Sequence, residues 1–207
     1  MMKRWNIVAA AAAVGAIVLM SGCFGLAKKP VDFRSYLLEV RRPAELPKRP
    51  RVAEELWLER VAVLPPWNVQ NLVLRRSGAE YQTTFRSELL VAPAENIRNI
   101  VFDWLNDSGL FKDVTLTHRR GVDAALAVTV TRLYGDLSSG EAVVELRAAL
   151  LRPSDSRVLL ARTYSARVPV KENSAEALVE AYDTALARIL VDLEKDLADT
   201  LGAGDRK

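Results

Sequence analysis

The sequence predicts an α/β protein of the α+β type: a mostly antiparallel or mixed sheet with two helices packed on one face. Three observations carry this. Segments in which apolar and polar residues alternate recur at Asp123–Tyr134, Glu141–Leu151 and Val158–Val168, and a period of two is that of a half-buried strand. Turn residues separate such segments at short range, as in Pro153-Ser154-Asp155-Ser156, which favours antiparallel neighbours. Two other stretches, one behind Pro93 and one behind Asn173, carry apolar residues at helical spacing instead. Of the 207 residues, 50% are hydrophobic, enough for one domain with an ample core.

In chain order, the first strand is expected at Tyr36–Val40. Arg41–Arg51, "RRPAELPKRPR", follows, and its Pro43, Pro47 and Pro50 exclude a regular helix or a central strand. This basic stretch reads as a solvated connector, or as a contact for lipid headgroups or an acidic partner. Trp57–Leu64 reads as a buried strand ended by Pro65-Pro66. Val69–Arg75, a turn at Ser77-Gly78 and Tyr81–Leu89 form a hairpin-like pair. Pro93 suits the first turn of a helix and Gly109 its end. Ile97, Ile100, Val101, Trp104 and Leu105 mark the inner side of that helix, and Leu110-Phe111 is placed to pack back over its end.

Val114–Thr117 is expected as a short strand. In the alternating strands, Leu126, Val128 and Val130 oppose Ala127, Thr129 and Thr131, and Val144, Leu146 and Ala148 oppose Glu145 and Arg147. Thr163, Ser165 and Arg167 face water, whereas Arg162 falls on the apolar parity. Asn173 with Glu176 resembles a capping box. The helix behind it has a one-sided stripe of Leu178, Tyr182, Ala185, Ile189, Leu193 and Leu197, with Glu180, Asp183, Arg188, Asp192 and Lys195 elsewhere. Gly202 is expected to close the fold, which spans 35–202, and 203–207 to be a disordered tail.

The chain begins with a basic Lys3-Arg4 and an apolar run from Ile7 to Met20, shorter than the roughly 20 residues of a spanning helix. A positive start, a short apolar core and a small-residue exit mark a secretory signal peptide. The exit, Met20-Ser21-Gly22-Cys23, resembles the bacterial lipobox, with Met20 in place of the usual Leu. The resemblance implies cleavage after residue 22 and acylation of Cys23, the single cysteine. Residues 23–34 are then an acylated tether of at most about 40 Å. By analogy with well-studied Gram-negative bacteria, Phe24 lacks the aspartate that retains a lipoprotein in the inner membrane, so the periplasmic face of the outer membrane is expected. Losing Lys3 and Arg4 from 29 basic residues against 26 acidic ones leaves a net charge near zero, which gives no reason to expect nucleic acid.

Little in the chain points to catalysis. His118 is the single histidine, and no G-x-S-x-G elbow accompanies it. Glu95, Asp103 and Asp107 fall on the first helix as a solvated face. No metal-ligand cluster, G-x-G-x-x-G or Walker motif is present, so no cofactor is expected beyond the covalent lipid. Arg75 and Arg76 near the hairpin turn, with Tyr81 and Phe85 on its second strand, are the candidate partner-binding residues. The alternatives are that the arginines only keep the turn soluble and that both rings pack in the core.

The block from Val61 to Val114 resembles the ABC-type transport auxiliary lipoproteins, the PqiC-like family. The matching features are Val61, Val63 and Pro65 of a first strand, Leu72-Val73 and Arg75, Gly78 of the turn, Tyr81, Pro93 leading the helix, and Gly109, Phe111 and Val114 at its exit. "SYLLEV" and the lipobox fit as well. Members often carry an aromatic residue before the helix, where this chain has Leu89-Leu90. The resemblance implies a compact α/β fold and a non-enzymatic role beside an MCE-type lipid transport system. The partners would be a periplasmic MCE-domain protein with its ABC permease and ATPase, and the membrane through the acyl anchor; self-association is allowed. A lipoprotein that activates or assembles a cell-wall enzyme or an outer-membrane protein is the other class open at this stage.

Overall fold

The computed structural model describes residues 32–204. The chain divides into Met1–Asp32 and Phe33–Lys207. The expected signal peptide, Cys23, nearly all of the tether and the last three residues of the tail lie outside the described residues.

From Phe33 on, the order is β1 (Arg34–Tyr36), β2 (Ala53–Val63), a one-turn 3-10 helix (Pro65–Trp67), β3 (Asn71–Ser77), β4 (Glu80–Leu89), α1 (Pro93–Ser108), β5 (Phe111–Thr115), β6 (Ala124–Asp136), β7 (Glu141–Arg152), β8 (Arg157–Pro169) and α2 (Ala175–Gly204). The eight strands form one mixed sheet. β6 is its axis. One edge of β6 pairs with β7 in a long antiparallel ladder that continues to β8. The other edge is shared: Ala124–Val130 pair parallel with β2, and Gly135 and Asp136 with β3. β5 extends β2, and β4 and β1 extend β3.

Both helices cover the same face. Leu56, Leu58, Leu126, Val128, Val130, Val144, Leu146 and Ala148 join Ile97, Val101, Trp104, Leu105 and the α2 row Leu178, Tyr182, Ala185, Ile189, Leu193 and Leu197 in one buried cluster. The two helical stripes, and the alternation over Leu126–Val130 and Val144–Ala148, are thus as the periodicity predicts. Gly109, at φ 80°, supplies the left-handed C-cap of α1, and a Cβ there would lie 3.1 Å from the Arg49 carbonyl. At the other end Asn68 Oδ1 accepts the Ala94 N–H at 3.2 Å, taking up one of the free donors of the first turn.

Several local expectations are corrected. The first strand is Arg34–Tyr36, not Tyr36–Val40. Past Tyr36 the backbone of Leu38 pairs instead with the side-chain amide of Asn96, which accepts its N–H at 3.0 Å and donates to its carbonyl at 3.2 Å. The strand expected at Val114–Thr117 is Phe111–Thr115, because the Thr115 hydroxyl bonds both the N–H and the carbonyl of Thr117 and turns the chain. The cap of α2 is Ser174, whose Oγ accepts the Ala177 N–H at 3.1 Å; Asn173 is exposed one residue earlier. The helix itself runs past Gly202 to Gly204. Arg162 does belong on the helix-facing side. It pairs across from Ala148 and reaches over the Tyr164 ring to Asp196 of α2 at 2.7 Å.

The proline-rich segment is only partly solvated. Arg42 is buried with 5% of its side chain exposed, and Glu194 of α2 with 2%. Arg42 holds both Glu194 oxygens, at 2.9 and 3.1 Å, and also donates to the carbonyls of Leu46 and Pro47. Arg49 and the Trp104 indole complete the cage at 3.1 and 3.0 Å. Burial alone would push the Glu194 carboxyl up, but the hydrogen bonds from Arg42, Arg49 and Trp104 outweigh it and hold the carboxyl below its usual range. The segment is thereby pinned to both helices.

Asp183 of α2 is shifted the opposite way. Burial, aided by the charges of Glu39 and Glu180, pushes its carboxyl up to about 6, against the Glu39 N–H that it accepts at 3.2 Å. The unfolded value is near 3.9, so between about pH 4 and pH 6 the folded chain holds a proton that the unfolded chain has released. Stability therefore falls as pH rises through that window. Asp183→Asn should remove this fall, melting higher than wild type at pH 8 by roughly 1–2 kcal/mol, a value discounted for partial exposure, and equally at pH 4. Coincident melts at pH 8 would contradict the assignment.

Candidate partner-binding surface

On the face of the sheet away from the helices, Val73 of the hairpin β3–β4 packs with Tyr134 and Val143 in a small second cluster. The strands pair antiparallel, Arg75 opposite Tyr81 and Ser77 opposite Glu80. Gly78 turns the chain at φ 51°, a conformation that favours glycine. Arg76 through Glu80 are all exposed, and Arg76 reaches Glu80 at 3.8 Å, an ion pair too solvated to fix the turn.

Rigidity comes from behind the turn. Trp67, Tyr81 and Tyr134 form a triangle of rings with centroids 5.3, 5.4 and 5.6 Å apart, in the tilted and edge-on arrangements that aromatic quadrupoles favour. Arg75 lies 5.1 Å from the centre of the Tyr134 ring and is ion-paired with Asp136, whose side chain is 1% exposed. Ser138 adds its N–H at 3.1 Å and its hydroxyl at 2.7 Å to the other Asp136 oxygen. Burial opposes the Asp136 charge, but the bonds from Arg75 and Ser138 prevail and hold its carboxyl far below the usual range.

The four candidate residues are therefore not alike. Arg75 has its guanidinium committed to Asp136 and Tyr134. Arg76 is exposed at the turn. Tyr81 is 43% exposed, with one edge on the ring triangle, and Phe85 is 77% exposed, so neither ring is a core residue. The structure does not bring Tyr81 and Phe85 together: Phe85 meets Phe33 at 6.0 Å. Between them the pairing with β3 slips, from Val73 opposite Thr83 to Asn71 opposite Glu88. Thr84 fills the irregularity, accepting the Leu72 N–H and bonding the Ser87 carbonyl. A bulge breaks the period of two that would place residues four apart on one face.

Trp67, Tyr134, Asp136 and Ser138 brace the candidate surface from beneath, and sequence reasoning missed them. Uninterrupted alternation puts Tyr134 with Leu126, Val128 and Val130 against the helices. The register shift between Val130 and Arg132 turns it to the opposite face. A signal was present in Tyr134-Gly135-Asp136, an aromatic, a glycine and an acid ending an apolar strand opposite the arginines of the hairpin. A Cβ at Gly135 would sit 3.0 Å from the terminal methyls of Leu178 and Leu74, so a larger residue there would have to displace them.

Elsewhere the chemistry is sparse. His118 packs edge-on against Trp57 at 4.5 Å on the rim of an open cleft of about 810 Å³. Glu95, Asp103 and Asp107 are on the exposed side of α1. Among the described residues no group of three or more His, Cys, Asp or Glu could hold a metal ion, and no helix is long and apolar enough to cross a membrane.

A mixed eight-stranded sheet with two helices on one face defines an α+β domain. The match to a family model over residues 36–194 then says which: the chain belongs to the ABC-type transport auxiliary lipoprotein component family. The chain is thus an auxiliary lipoprotein component of an ABC-type transport system. Its fold is similar to that of protein XCC0632 from Xanthomonas campestris, of the DUF330 family, with a TM-score of 0.69 at 20% identity over 84% of this chain and 99% of that one. A second solved structure, of an uncharacterised protein, gives a TM-score of 0.67 at 16% identity over 80% and 99%. No curated protein sequence matches this one.

Proposed function

We propose that this chain is the non-enzymatic docking subunit of an MCE-type lipid transporter, acylated at Cys23 and held at the periplasmic face of the outer membrane. Its task is to capture the periplasmic MCE-domain protein that works with the ABC permease and ATPase. The observation that carries the reading is the hairpin: an exposed tip, Arg76 to Glu80, with Tyr81 at its base, braced by the pairing of Arg75 with the buried Asp136 and by the Trp67–Tyr81–Tyr134 triangle. A preorganised tip spares the ordering cost that a flexible loop pays on binding. Tyrosine and arginine are the side chains that anchor interfaces. No step of this function needs a nucleophile or a metal; anchor, tether and rigid domain set a geometry.

The test is capture of the purified MCE-domain partner by the acylated protein. Arg76→Glu combined with Tyr81→Ala should weaken capture at least tenfold while the thermal melt moves by only a few degrees. A variant that folds and still captures the partner at full affinity would remove the hairpin tip from the interface.

A further inference from the structure

Phe85 and Phe33 form a second exposed feature, separate from the hairpin tip. Phe33 is 61% and Phe85 77% exposed, yet their rings meet at 6.0 Å. Leu37 and Leu90, also exposed, continue this strip. Arg34, Ser35 and Tyr36 pair with Ser87, Glu88 and Leu89, and the Leu90 N–H bonds the Tyr36 carbonyl at 2.7 Å. All four apolar residues therefore flank one short β1–β4 ladder, about 10 Å long. Arg34 and Arg86 border it. Water-exposed large apolar side chains grouped in this way mark a surface that contacts something else.

We infer that this patch is a lipid-surface contact, with Phe33 and Phe85 seated among the headgroups of an anionic phospholipid membrane. The inference rests on the reading that Cys23 is acylated. Where the chain enters the fold identifies the occupant. Phe33 lies ten residues after Cys23, so the patch is within about 35 Å of the acyl chains even when the intervening segment is fully extended. No other apolar surface of the domain is so near the anchor along the chain. An acyl chain that already holds the protein gives the patch a high effective concentration of lipid, so a contact too weak to bind alone is occupied. Aromatic rings beside arginines suit that interface: the rings enter the boundary region while the cations meet anionic headgroups. β1 has only three residues, too short a ladder to recruit another chain by strand addition. The consequence is an orientation. The β1–β4 ladder lies on the membrane, so the domain is held in one pose and does not tumble on its tether.

The experiment uses the acylated full protein in vesicles of phosphatidylethanolamine and phosphatidylglycerol. A bimane label is placed at Phe85→Cys and, as a control on the water-facing side of β8, at Thr163→Cys. Mass spectrometry of the same sample reports acylation of Cys23. The label at 85 should be quenched at least threefold more than that at 163 by lipids spin-labelled near the headgroup, and Phe33→Ser with Leu90→Ser should at least halve the difference. Equal quenching at the two positions in acylated protein would overturn the inference while leaving the lipoprotein reading intact. Quenching at 85 with Cys23 unacylated would sustain the lipid contact and sink the anchor reading. A label at 85 shielded in lipid-free detergent and unquenched in vesicles would assign the patch to contact between copies of the chain, and overturn the inference as well.

Discussion

Replacing Glu194 with alanine should destabilise the protein by about 3–5 kcal/mol, among the largest effects of any single substitution in it. Removing one partner of a buried ion pair leaves the other charge uncompensated. Here that partner is Arg42, 5% exposed, and the Trp104 indole loses its acceptor too. Arg49 is closer to solvent and can turn outward. In a domain of this size the loss corresponds to roughly 6–20 °C of melting temperature. Because the Glu194 carboxyl is held below its usual range, its contribution is present above about pH 4.5 and disappears as pH falls through the depressed folded value. The gap between wild type and Glu194→Ala should accordingly narrow in acid. Glu194→Leu together with Arg42→Met should recover more than half of the loss, since an apolar replacement of the whole pair removes the stranded charge. A Glu194→Ala melt within 2 °C of wild type at pH 7 would show that the cage contributes nothing.

Ile189→Ala is expected to cost about 2–5 kcal/mol, the range for large-to-small changes in packed cores. Ile189 is 1% exposed in the middle of the α2 row that lies on the sheet, and the surrounding Leu186, Leu190 and Leu193 are as deeply buried, so the cavity has little room to collapse. Asp192 is exposed on the outer side of the same helix, and Asp192→Ala should stay within about 0.5 kcal/mol of wild type. Denaturant midpoints measure both. Equal midpoints for the two variants would mean that the helix is rotated from the phase described.

How much of this was readable in advance follows from the range of the interactions. The α2 stripe, the α1 boundaries at Pro93 and Gly109 and the β3–β4 hairpin are written locally, in a period or a pair of punctuating residues, and they are where the periodicity puts them. The Glu194 cage joins residues as many as 152 positions apart, and no local pattern encodes it. Its one trace is that Leu186, Leu190 and Glu194 fall at four-residue steps, so that a charge interrupts an apolar row. The candidate surface failed in a different way. Two register slips, one in β4 and one in β6, each shift the alternation. The first separates Phe85 from Tyr81 and the second delivers Tyr134 to the hairpin. A slip is invisible to a reading that assumes a constant period.

The manner in which β1 joins the sheet has a mechanical meaning. Any pull on the chain ahead of Phe33 enters the fold through β1, whose one strand neighbour among the described residues is β4, over three residue pairs. Behind it come Leu38, buried and clasped by Asn96, and then Arg42 in its carboxylate cage. Load therefore meets a soft stop and then two hard ones. Peeling Arg34–Tyr36 would lengthen the leash by about 10 Å while the long ladder of β6, β7 and β8 carries no strain. A subunit bridging a membrane and a partner whose separation fluctuates gains slack this way, from a few residues that can be shed and reseated, and its folded body stays whole.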